Sequence, residues 1–412
     1  SVLKDASAGA IYGVQAANGV VLITTKKGKK GEPQFNFSAY AGVQHATNLV
    51  KMANTSQYIE LLNQRTGLTG AGNLYDPASY PVSTQWYQEL LRNPYISSVE
   101  LNVNGGTDKT LYAFGLSHFY QDGIINTRNK NNHYDRINFR AKNDYTFTDH
   151  FTGGFGLIFS RSMDVPTNNY ALYQAYVTPP AYKPKDATGA WTDPTALGFS
   201  GPFANPAATV YYNDNRTESY SILPNAYLEF KFWKNRFDLR TVFSGDIGFG
   251  LERSYTPVFY VSGLQNNNTS SLNKVFNFRR NLIWDNTLNY SQTFGKSDLK
   301  IMVGSSIQDF YDTYLSGSRY NVPYLSNATL YLSLGDNGTQ LASDGGNLSR
   351  VVSGFTRVSY SYDSKYLLTG TFRADGSSKY ANNRWGYFPS IGLGWVLTEE
   401  NFLKNNKYIN FL

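Results

Sequence analysis

The chain has 412 residues, a formal net charge of +7 and no cysteine. The absence of cysteine excludes disulfides and thiolate metal sites within these residues. The longest compact apolar run covers only residues 20–23, whereas a membrane helix needs roughly 18 to 20 apolar residues. Helical membrane spans are therefore excluded. A membrane β-barrel is compatible with the mean hydropathy of −0.41, because its strands need only about 10 residues with every second one apolar.

Aromatic residues make up 16% of the chain, with 33 Tyr and 26 Phe. Tyr and Trp suit the interfacial girdles of a membrane barrel, where a ring has an apolar body and a wet edge. A soluble all-β sandwich rich in Tyr would share this composition. The densest basic run, residues 26–30, lies beside Gly28 and Gly31. Because no aromatic residue is interleaved with it, we interpret this run as a solvated hinge and predict no nucleic-acid partner.

Alternation with a period of two predicts the strands. In residues 137–145, Ile137 and Phe139 share one face, while Arg140 and Lys142 share the other. In chain order, this pattern predicts twelve strands and a thirteenth that begins near Tyr408. The twelve lie near residues 35–44, 98–104, 110–121, 133–145, 151–161, 221–233, 236–247, 276–293, 299–311, 350–362, 365–376 and 385–397.

The connections between these strands alternate between short and long. The short ones are rich in Gly, Asn and Asp, as tight hairpins require, and cover residues 104–109, 146–150, 233–236, 294–298 and 362–365. The long ones cover residues 46–97, 122–133, 162–220, 248–275 and 313–349. An outer-membrane barrel has short periplasmic turns and long external loops, whereas a sandwich has no reason to keep its short turns at one end. This regularity favours the barrel.

Two segments of the first long loop read as helices. Residues 55–64 place Tyr58, Leu61 and Leu62 on one side, behind a cap at Asn54 or Thr55. Residues 84–92 form the second predicted helix. We expect both helices to pack in the first external loop.

Two stretches resemble a known family. The opening SVLKDASAGAIYGVQAANGVVLITTKKGK (residues 1–29) resembles the end of the plug domain in TonB-dependent transporters of the SusC/RagA group, found in Bacteroidetes. The stretch FRADGSSKYANNRWGYFPSIGLGWVLTEENFL (residues 372–403) resembles a mid-barrel signature of that group. We assign structural roles to the matching residues: Gly9, Tyr12, Gly13, Asn18 and Gly19 in the plug signature, and Arg373, Asp375, Gly376, Ser377, Ser378, Arg384, Trp385, Gly386 and Pro389 in the barrel signature.

The predicted fold is all-β, a transmembrane antiparallel β-barrel with the C-terminal remnant of a plug domain. Residues 1–30 are predicted to end the plug, with a last strand at residues 20–24, and residues 31–412 to form the first part of the barrel. The glycines of the plug signature would permit its tight turns, and residues 375–378 are expected to form a turn that bonds its own backbone. The resemblance implies 22 strands in all, and the export signal is expected upstream of Ser1.

Catalysis is not indicated. His45, His118, His133 and His150 lack the short spacings of metal ligands and are predicted to be interfacial or lumenal polar residues. Phosphate-binding loops are absent from the sequence, and the glycines at 153, 154 and 156 lie within a predicted strand, where they would ease curvature. No sequence argument pairs two carboxylates across a cleft. We therefore predict no enzyme, no catalytic or metal-binding residue and no cofactor.

The resemblance implies active import of a large polar nutrient, with an oligosaccharide as the first candidate and a peptide as the second. It also implies a TonB complex, outer-membrane lipid, a SusD-like surface lipoprotein as a lid, and pairing of two transporter–lipoprotein units. Four basic residues are predicted to face the lumen and line the path, without any one being assigned to cargo binding: Arg140, Lys142, Arg240 and Arg357.

Two other functions stay open at this point. A passive porin would let solutes diffuse, but a plug has no use in a free channel. A surface adhesin would bind partners through its long loops without transport. Because the unpaired edges of twelve or thirteen strands are costly in lipid, we also predict that further strands complete the barrel.

Overall fold

In the computed structural model, one antiparallel sheet of twelve strands dominates the fold. The structure describes residues 2–3, 11–13, 18–22, 28–70, 74–126, 132–199, 201, 203–326, 329–403 and 412. The sheet consists of β3 (Gly31–Val43), β4 (Tyr95–Gly106), β5 (Thr110–Asp122), β6 (His133–Thr148), β7 (Phe151–Val165), β8 (Asp214–Phe232), β9 (Phe237–Thr256), β12 (Ser271–Phe294), β13 (Ser297–Tyr320), β14 (Leu341–Tyr362), β15 (Tyr366–Ser377) and β16 (Trp385–Trp395).

Two small strand pairs accompany this sheet. β1 (Val2–Leu3) pairs with β2 (Val20–Val21) in the N-terminal segment, and β10 (Phe259–Ser262) pairs with β11 (Gln265–Asn267) in an external loop. In the large sheet every strand pairs with its neighbours in sequence, apart from the β10–β11 excursion between β9 and β12. Within the described residues β3 and β16 form its two open edges. No helix in this part of the chain has the length and apolarity required to cross a membrane.

The register gives the sheet one apolar and one polar face, because directly paired residues on neighbouring strands point to the same side. Phe243, Trp284, Ile307 and Val352 form one row across β9 and β12–β14, and each is 43–48% exposed. We call this the outer face. The opposite, inner face carries the four predicted lumenal side chains Arg140, Lys142, Arg240 and Arg357.

The predicted alternation of short and long connections is confirmed. Five short turns, at residues 107–109, 149–150, 233–236, 295–296 and 363–365, lie at one rim of the sheet. Longer connections, at residues 44–94, 123–132, 166–213, 257–270, 321–340 and 378–384, lie at the other rim. In a transmembrane barrel these are the periplasmic and the external rims, respectively.

All twelve predicted strands are present, but those in the middle of the sheet extend further toward the external rim than predicted. β9 continues to Thr256, nine residues past its predicted end, and β13 continues to Tyr320. The paired ladder is unbroken through these extensions. On β9 the alternation continues through Leu251 and fades at Glu252, Arg253 and Ser254, where both faces of the strand are polar.

Four helices lie in the external loops: α1 (Thr55–Leu68), α2 (Trp86–Leu90), α3 (Tyr170–Val177) and α4 (Pro206–Tyr211). The prediction for α1 is confirmed and its cap is Asn54, whose side chain accepts from the Gln57 amide while the Gln57 side chain accepts from the Asn54 amide. α2 is shorter than predicted. α3 and α4 were not predicted.

The external loops share a hydrophobic core of their own. Trp86 of α2 is 2% exposed, donates from Nε1 to the Pro179 carbonyl at 2.9 Å and packs edge-on against Tyr182. Phe199, from the same long loop as Pro179, stacks on Tyr75 with ring centroids 5.8 Å apart. These contacts join loops that are about a hundred residues apart in sequence. The external rim therefore carries a folded cap.

Four further sequence predictions need correction or fall at least partly outside the described residues. The predicted turn at residues 375–378 is wrong: β15 runs to Ser377, and the chain turns at residues 378–384. A strand is favoured there because Asp375 and Gly376 pair with both β14 and β16. Gly9 and the thirteenth strand near Tyr408 lie outside the described residues, as do the last two residues of the strand predicted at 20–24.

Candidate functional site at the inner face

Arg373 on the inner face of β15 joins the barrel sheet to the N-terminal segment. Its Nη1 donates to the Ile11 carbonyl at 2.5 Å, its Nε to Asp375 Oδ1 at 2.6 Å and its Nη2 to Ser353 Oγ at 2.9 Å. The Arg373 and Asp375 side chains are only 13% and 12% exposed. In such a setting a guanidinium needs its carboxylate partner, because an unpaired buried charge is costly.

The neighbouring strands hold Arg373 in place. The Arg373 guanidinium lies over the Phe355 ring, 5.2 Å from its centroid, which is within the range of a cation–π interaction. Phe355 pairs with Gly304 on β13, and a Cβ atom built at Gly304 would overlap the Phe355 ring. Gly304 therefore makes the space in which the ring supports the arginine.

The plug signature meets the barrel signature at this point. Gly13 is buried with φ +63°, and a Cβ atom built there would overlap Asp375 Oδ2 and lie 2.7 Å from Arg373 Nε. Both its backbone conformation and this close approach require glycine. Tyr12 beside it is 39% exposed, and Gly19 also has a positive φ, +88°. Asn18 is exposed.

The other barrel-signature residues shape the turn between β15 and β16. Ser377 Oγ accepts from the Lys379 amide at 3.3 Å, and Ser378 Oγ accepts from the Arg350 amide of β14 at 2.8 Å. Further signature residues lie in the same region: Arg384 Nε donates to the Tyr380 carbonyl, Gly376 packs against the Trp385 ring, and Gly386 and Pro389 lie in β16. The structural role of these residues stays a prediction.

A second contact joins the N-terminal part of the chain to the periplasmic rim. Lys30 pairs with Asp108 in the turn between β4 and β5. Gly28 is buried, and a Cβ atom built there would lie 2.6 Å from the backbone nitrogen and oxygen of Tyr112. The described end of the basic run is thus tied to the sheet by charge and close packing.

A cleft of about 400 Å³ opens on the inner face in the external half of the sheet. Gly248 and Gly250 of β9 form its floor, because they leave space between longer side chains on either side. Two inner-face rows cross it in register: Ser162, Ser219, Gly250, Asn277 and Tyr314, and Ser160, Ser221, Gly248, Arg279 and Asp312.

The polar groups of the cleft hold one another in position. Asn277 Nδ2 donates to Glu252 Oε1 at 2.7 Å, and Arg279 Nη2 to Asp246 Oδ1 at 3.2 Å. Arg279 remains 54% exposed. Planar amide, carboxylate and guanidinium groups that are already oriented can bind a polar ligand with little loss of side-chain entropy.

The sequence did not reveal this cleft. Its residues come from five strands, and residues 248–275 were predicted to be a loop, so the glycine floor was not seen as part of a sheet. The only signal was the pair Gly248 and Gly250, spaced by two in GFG, which leaves one face of a strand without side chains.

Known proteins resemble the chain along nearly its whole length. It is 28% identical over 425 residues to the TonB-dependent receptor P3 of Formosa agariphila, covering 99% of this chain and 40% of that protein. It is also 28% identical over 440 residues to the TonB-dependent receptor SusC of Bacteroides thetaiotaomicron, covering 98% of this chain and 41% of SusC. The chain thus spans about two fifths of the length of these relatives. No protein-family model matches it.

Solved structures share the fold. The RagAB peptide importer in its closed-closed state matches with a TM-score of 0.83 and 20% identity, over 98% of this chain and 49% of that chain. The resemblance read from the sequence, the β-barrel fold and the outer-membrane location are confirmed by these matches. The similar proteins named here are receptors and an importer, and none of them is an enzyme. This agrees with the prediction from the sequence that the chain is not an enzyme.

Proposed function

From the similarity to TonB-dependent receptors, we propose that the chain is the end of the plug and the first part of the barrel of a transporter that actively imports a large polar nutrient. Residues 1–30 belong to the plug in this proposal, and residues 31–412 to the barrel. The observation that carries it is the seating of Ile11–Gly13 on the inner face at Arg373 and Asp375. A passive porin would have no need of such a segment.

The cleft favours an oligosaccharide as cargo. Vicinal hydroxyls of a sugar can bond in pairs to planar groups such as Arg279, Asn277 and Asp312, while Tyr314, 39% exposed, offers a ring to the apolar face of a pyranose. The hydroxyls of Ser162 and Ser219 line the opposite side. The whole cleft lies on the inner wall, where a cargo in transit would pass.

A peptide is the second candidate. The cleft contains both signs of charge, with Arg279 on one side and Glu252 and Asp312 nearby, so it can also bind the two termini of a short peptide. RagAB, whose fold this chain shares, is described as a peptide importer.

The partners that we propose follow from the same assignment. A TonB complex supplies the energy, a SusD-like lipoprotein covers the external cap, and two such units associate in the outer membrane. Further strands complete the barrel, because the open edges of β3 and β16 would otherwise leave backbone groups unpaired in lipid at several kcal/mol each.

Uptake and conductance measurements on the full-length protein test this function. We expect a nearly closed channel in a planar bilayer, and uptake of a labelled oligosaccharide that stops when TonB is deleted. A steady large conductance would instead indicate a porin, and binding without TonB-dependent uptake would indicate an adhesin.

Variants of the cleft test the cargo. Arg279→Ala combined with Tyr314→Ala should weaken oligosaccharide binding by about thirtyfold, since each of the two lost contacts is worth on the order of 1 kcal/mol. Lys234→Ala, in an exposed turn at the opposite rim, is the matched control. If these cleft variants instead reduce peptide uptake and leave oligosaccharide uptake unchanged, the second candidate is the cargo.

A further inference from the structure

On seven of the twelve strands the outer face of the sheet carries a charged side chain or a histidine in its external half, and we call these residues the belt. Nearer the periplasmic rim the outer-face positions of these strands are uncharged. On β9 the first outer-face charge is Arg253, closer to the external rim. The described outer faces of β4, β15 and β16 carry no charged residue. The belt residues on β5–β8 and β12–β14 are His118, Asp135, Arg161, Glu218, Arg280, Asp309 and Arg350.

The belt lies at the external boundary of the hydrocarbon layer. On β13 the outer face runs through Leu299, Ile301, Val303, Ser305 and Ile307 before Asp309. Ten residues at about 3.4 Å each, along a strand tilted by roughly 40°, give a height of about 26 Å from Leu299 to Asp309. The apolar band of an outer-membrane barrel is about 25 Å tall. Asp309 is therefore at the level of the lipid headgroups in the outer leaflet.

Two of the charged groups in the belt are balanced one to one. His118 Nε2 lies 2.7 Å from Asp135 Oδ2, and Arg161 Nε donates to Glu218 Oε1 at 2.7 Å. Each pair joins neighbouring strands and brings a single carboxylate to a single basic group.

The third group, which consists of Arg280, Asp309 and Arg350, has an excess of positive charge. Asp309 accepts from Arg280 Nη2 at 2.7 Å through Oδ1, and from Arg350 Nε at 2.8 Å through Oδ2. One carboxylate thus serves two guanidiniums. The Arg280 side chain is 39% exposed and that of Arg350 is 65% exposed.

These two arginines have donors that no described residue accepts. Arg280 Nε is buried and has no hydrogen-bond partner within the described residues. In the same part of the chain the terminal nitrogens of Arg350 make no hydrogen bond. Of the outer-face neighbours, Leu282 and Leu348 are apolar, and Tyr311 lies against the Arg280 guanidinium with its ring centroid 5.7 Å away. An anion supplied by the membrane can reach the exposed parts of both side chains.

We propose that Arg280 and Arg350 bind the phosphate of a phosphorylated glycolipid in the outer leaflet. A guanidinium presents a planar fork that matches two phosphate oxygens, and two forks held on one carboxylate can bind the same phosphate from both sides. The apolar row of Trp284, Ile307 and Val352 lies directly below, toward the periplasm, where the acyl chains of such a lipid would rest. This site is separate from the cargo path, because it lies on the opposite face of the sheet.

Lipid retention by the full-length protein tests the proposal. The protein is purified from outer membranes in a mild detergent, and its bound phosphorylated glycolipid is counted by native mass spectrometry. Arg280→Gln with Arg350→Gln should retain about tenfold less, as expected when charge-assisted hydrogen bonds to a phosphate are lost. Arg136→Gln is the matched control, because Arg136 is an exposed arginine on the inner face of β6 and lies outside the cleft. Equal retention by the double variant and the wild type would overturn the proposal.

Two further measurements keep the result interpretable. Arg280→Lys with Arg350→Lys keeps both positive charges but removes the planar guanidinium groups, so lipid retention should be intermediate. Heat-dependent migration on a gel shows that each variant has folded. In nanodiscs, the wild type should bind the phosphorylated glycolipid more tightly than the same lipid after enzymatic removal of its phosphates. Equal binding of the two lipids, or full displacement by millimolar inorganic phosphate, would show that the site does not select the phosphorylated glycolipid and would overturn the proposal.

Discussion

Arg373 on β15 donates a hydrogen bond from Nη1 to the carbonyl oxygen of Ile11, which lies 362 residues earlier in the chain. The same guanidinium pairs with Asp375 and rests on the Phe355 ring. One side chain therefore connects the N-terminal segment, β14 and β15. The stability of that segment inside the barrel depends on this arginine in a way that can be measured.

Removing the Arg373 charge should loosen the N-terminal segment. In Arg373→Gln the Asp375 carboxylate loses its partner in a nearly buried setting, so the free energy of unfolding should fall by about 3 kcal/mol. Conductance of the full-length protein in a planar bilayer should rise at the same time. Arg384→Gln removes an exposed arginine of the same signature and serves as the control. Unchanged conductance and stability in Arg373→Gln would show that the contact holds nothing in place.

Adding a methyl group at Gly304 should disturb the support of Arg373. The new Cβ atom overlaps the Phe355 ring and lies 2.9 Å from the Asn286 carbonyl, so Gly304→Ala should cost about 1–3 kcal/mol of unfolding free energy. Gly354→Ala is the control, since a Cβ atom there meets nothing within 4 Å. Combining Gly304→Ala with Phe355→Leu should recover part of the loss. Denaturant titrations of the wild type, the three single variants Gly304→Ala, Gly354→Ala and Phe355→Leu, and the double variant would reveal it. Equal effects of the Gly304 and Gly354 changes would contradict this packing.

The external cap should unfold separately from the barrel. Trp86→Ala removes the centre of the loop core and leaves a cavity, which should cost the cap about 3–5 kcal/mol. Limited proteolysis should then cut the loops at residues 44–94 and 166–213, while the heat-dependent gel migration of the barrel is unchanged. Tyr170→Ala, at a site 59% exposed, should leave the cleavage pattern as in the wild type. Loss of the folded barrel in Trp86→Ala would mean that cap and barrel form one cooperative unit.

Glu400 should make the periplasmic rim sensitive to acid. The Tyr366 hydroxyl, 2.7 Å away, and then the Trp395 indole N–H hold the pKa of Glu400 below its ordinary value of 4.5. Because the folded-state pKa is lowered, this stabilisation is complete above pH 4.5 and is lost as the pH falls through the lowered pKa.

Thermal unfolding as a function of pH checks the role of Glu400. Glu400→Gln should lower the melting temperature at pH 7, and the difference from the wild type should vanish below the lowered pKa. Glu399→Gln, exposed beside it, should show no such pH-dependent difference. A difference that persists unchanged into acid would exclude the carboxylate as its source.

The sequence predicted the strands best where one side of the sheet faces lipid. In Leu228, Phe230 and Phe232 the apolar side chains alternate with polar ones, and the structure places all three on the outer face, 36–48% exposed. The first residues of the same strand, Asp214–Ser221, are polar on both sides and were assigned to a loop. Periodicity reports the environment of a strand, so a strand in water on both sides gives no signal.

The candidate sites were only partly visible in the sequence. The resemblance picked out Gly13, Arg373 and Asp375, but local patterns cannot show that residues so far apart in the chain touch. At residues 375–378 the local pattern was misleading. Asp, Gly and Ser favour turns, but this segment pairs with strands on both sides, so it forms a strand through Ser377. Arg280 and Arg350 were not identified from the sequence, because their proposed role in phosphate binding depends on where each residue lies relative to the membrane.

The unequal strand lengths give the barrel wall an uneven upper edge. β4 and β15 have 12 residues each, whereas β12 and β13 have 24, and all are anchored at the same lower rim. Twelve extra residues on a strand tilted by roughly 40° raise the wall by about 30 Å. The external edge formed by this part of the wall is therefore slanted. A molecule arriving from outside meets a high wall at β12–β13 and a low wall at β4 and β15.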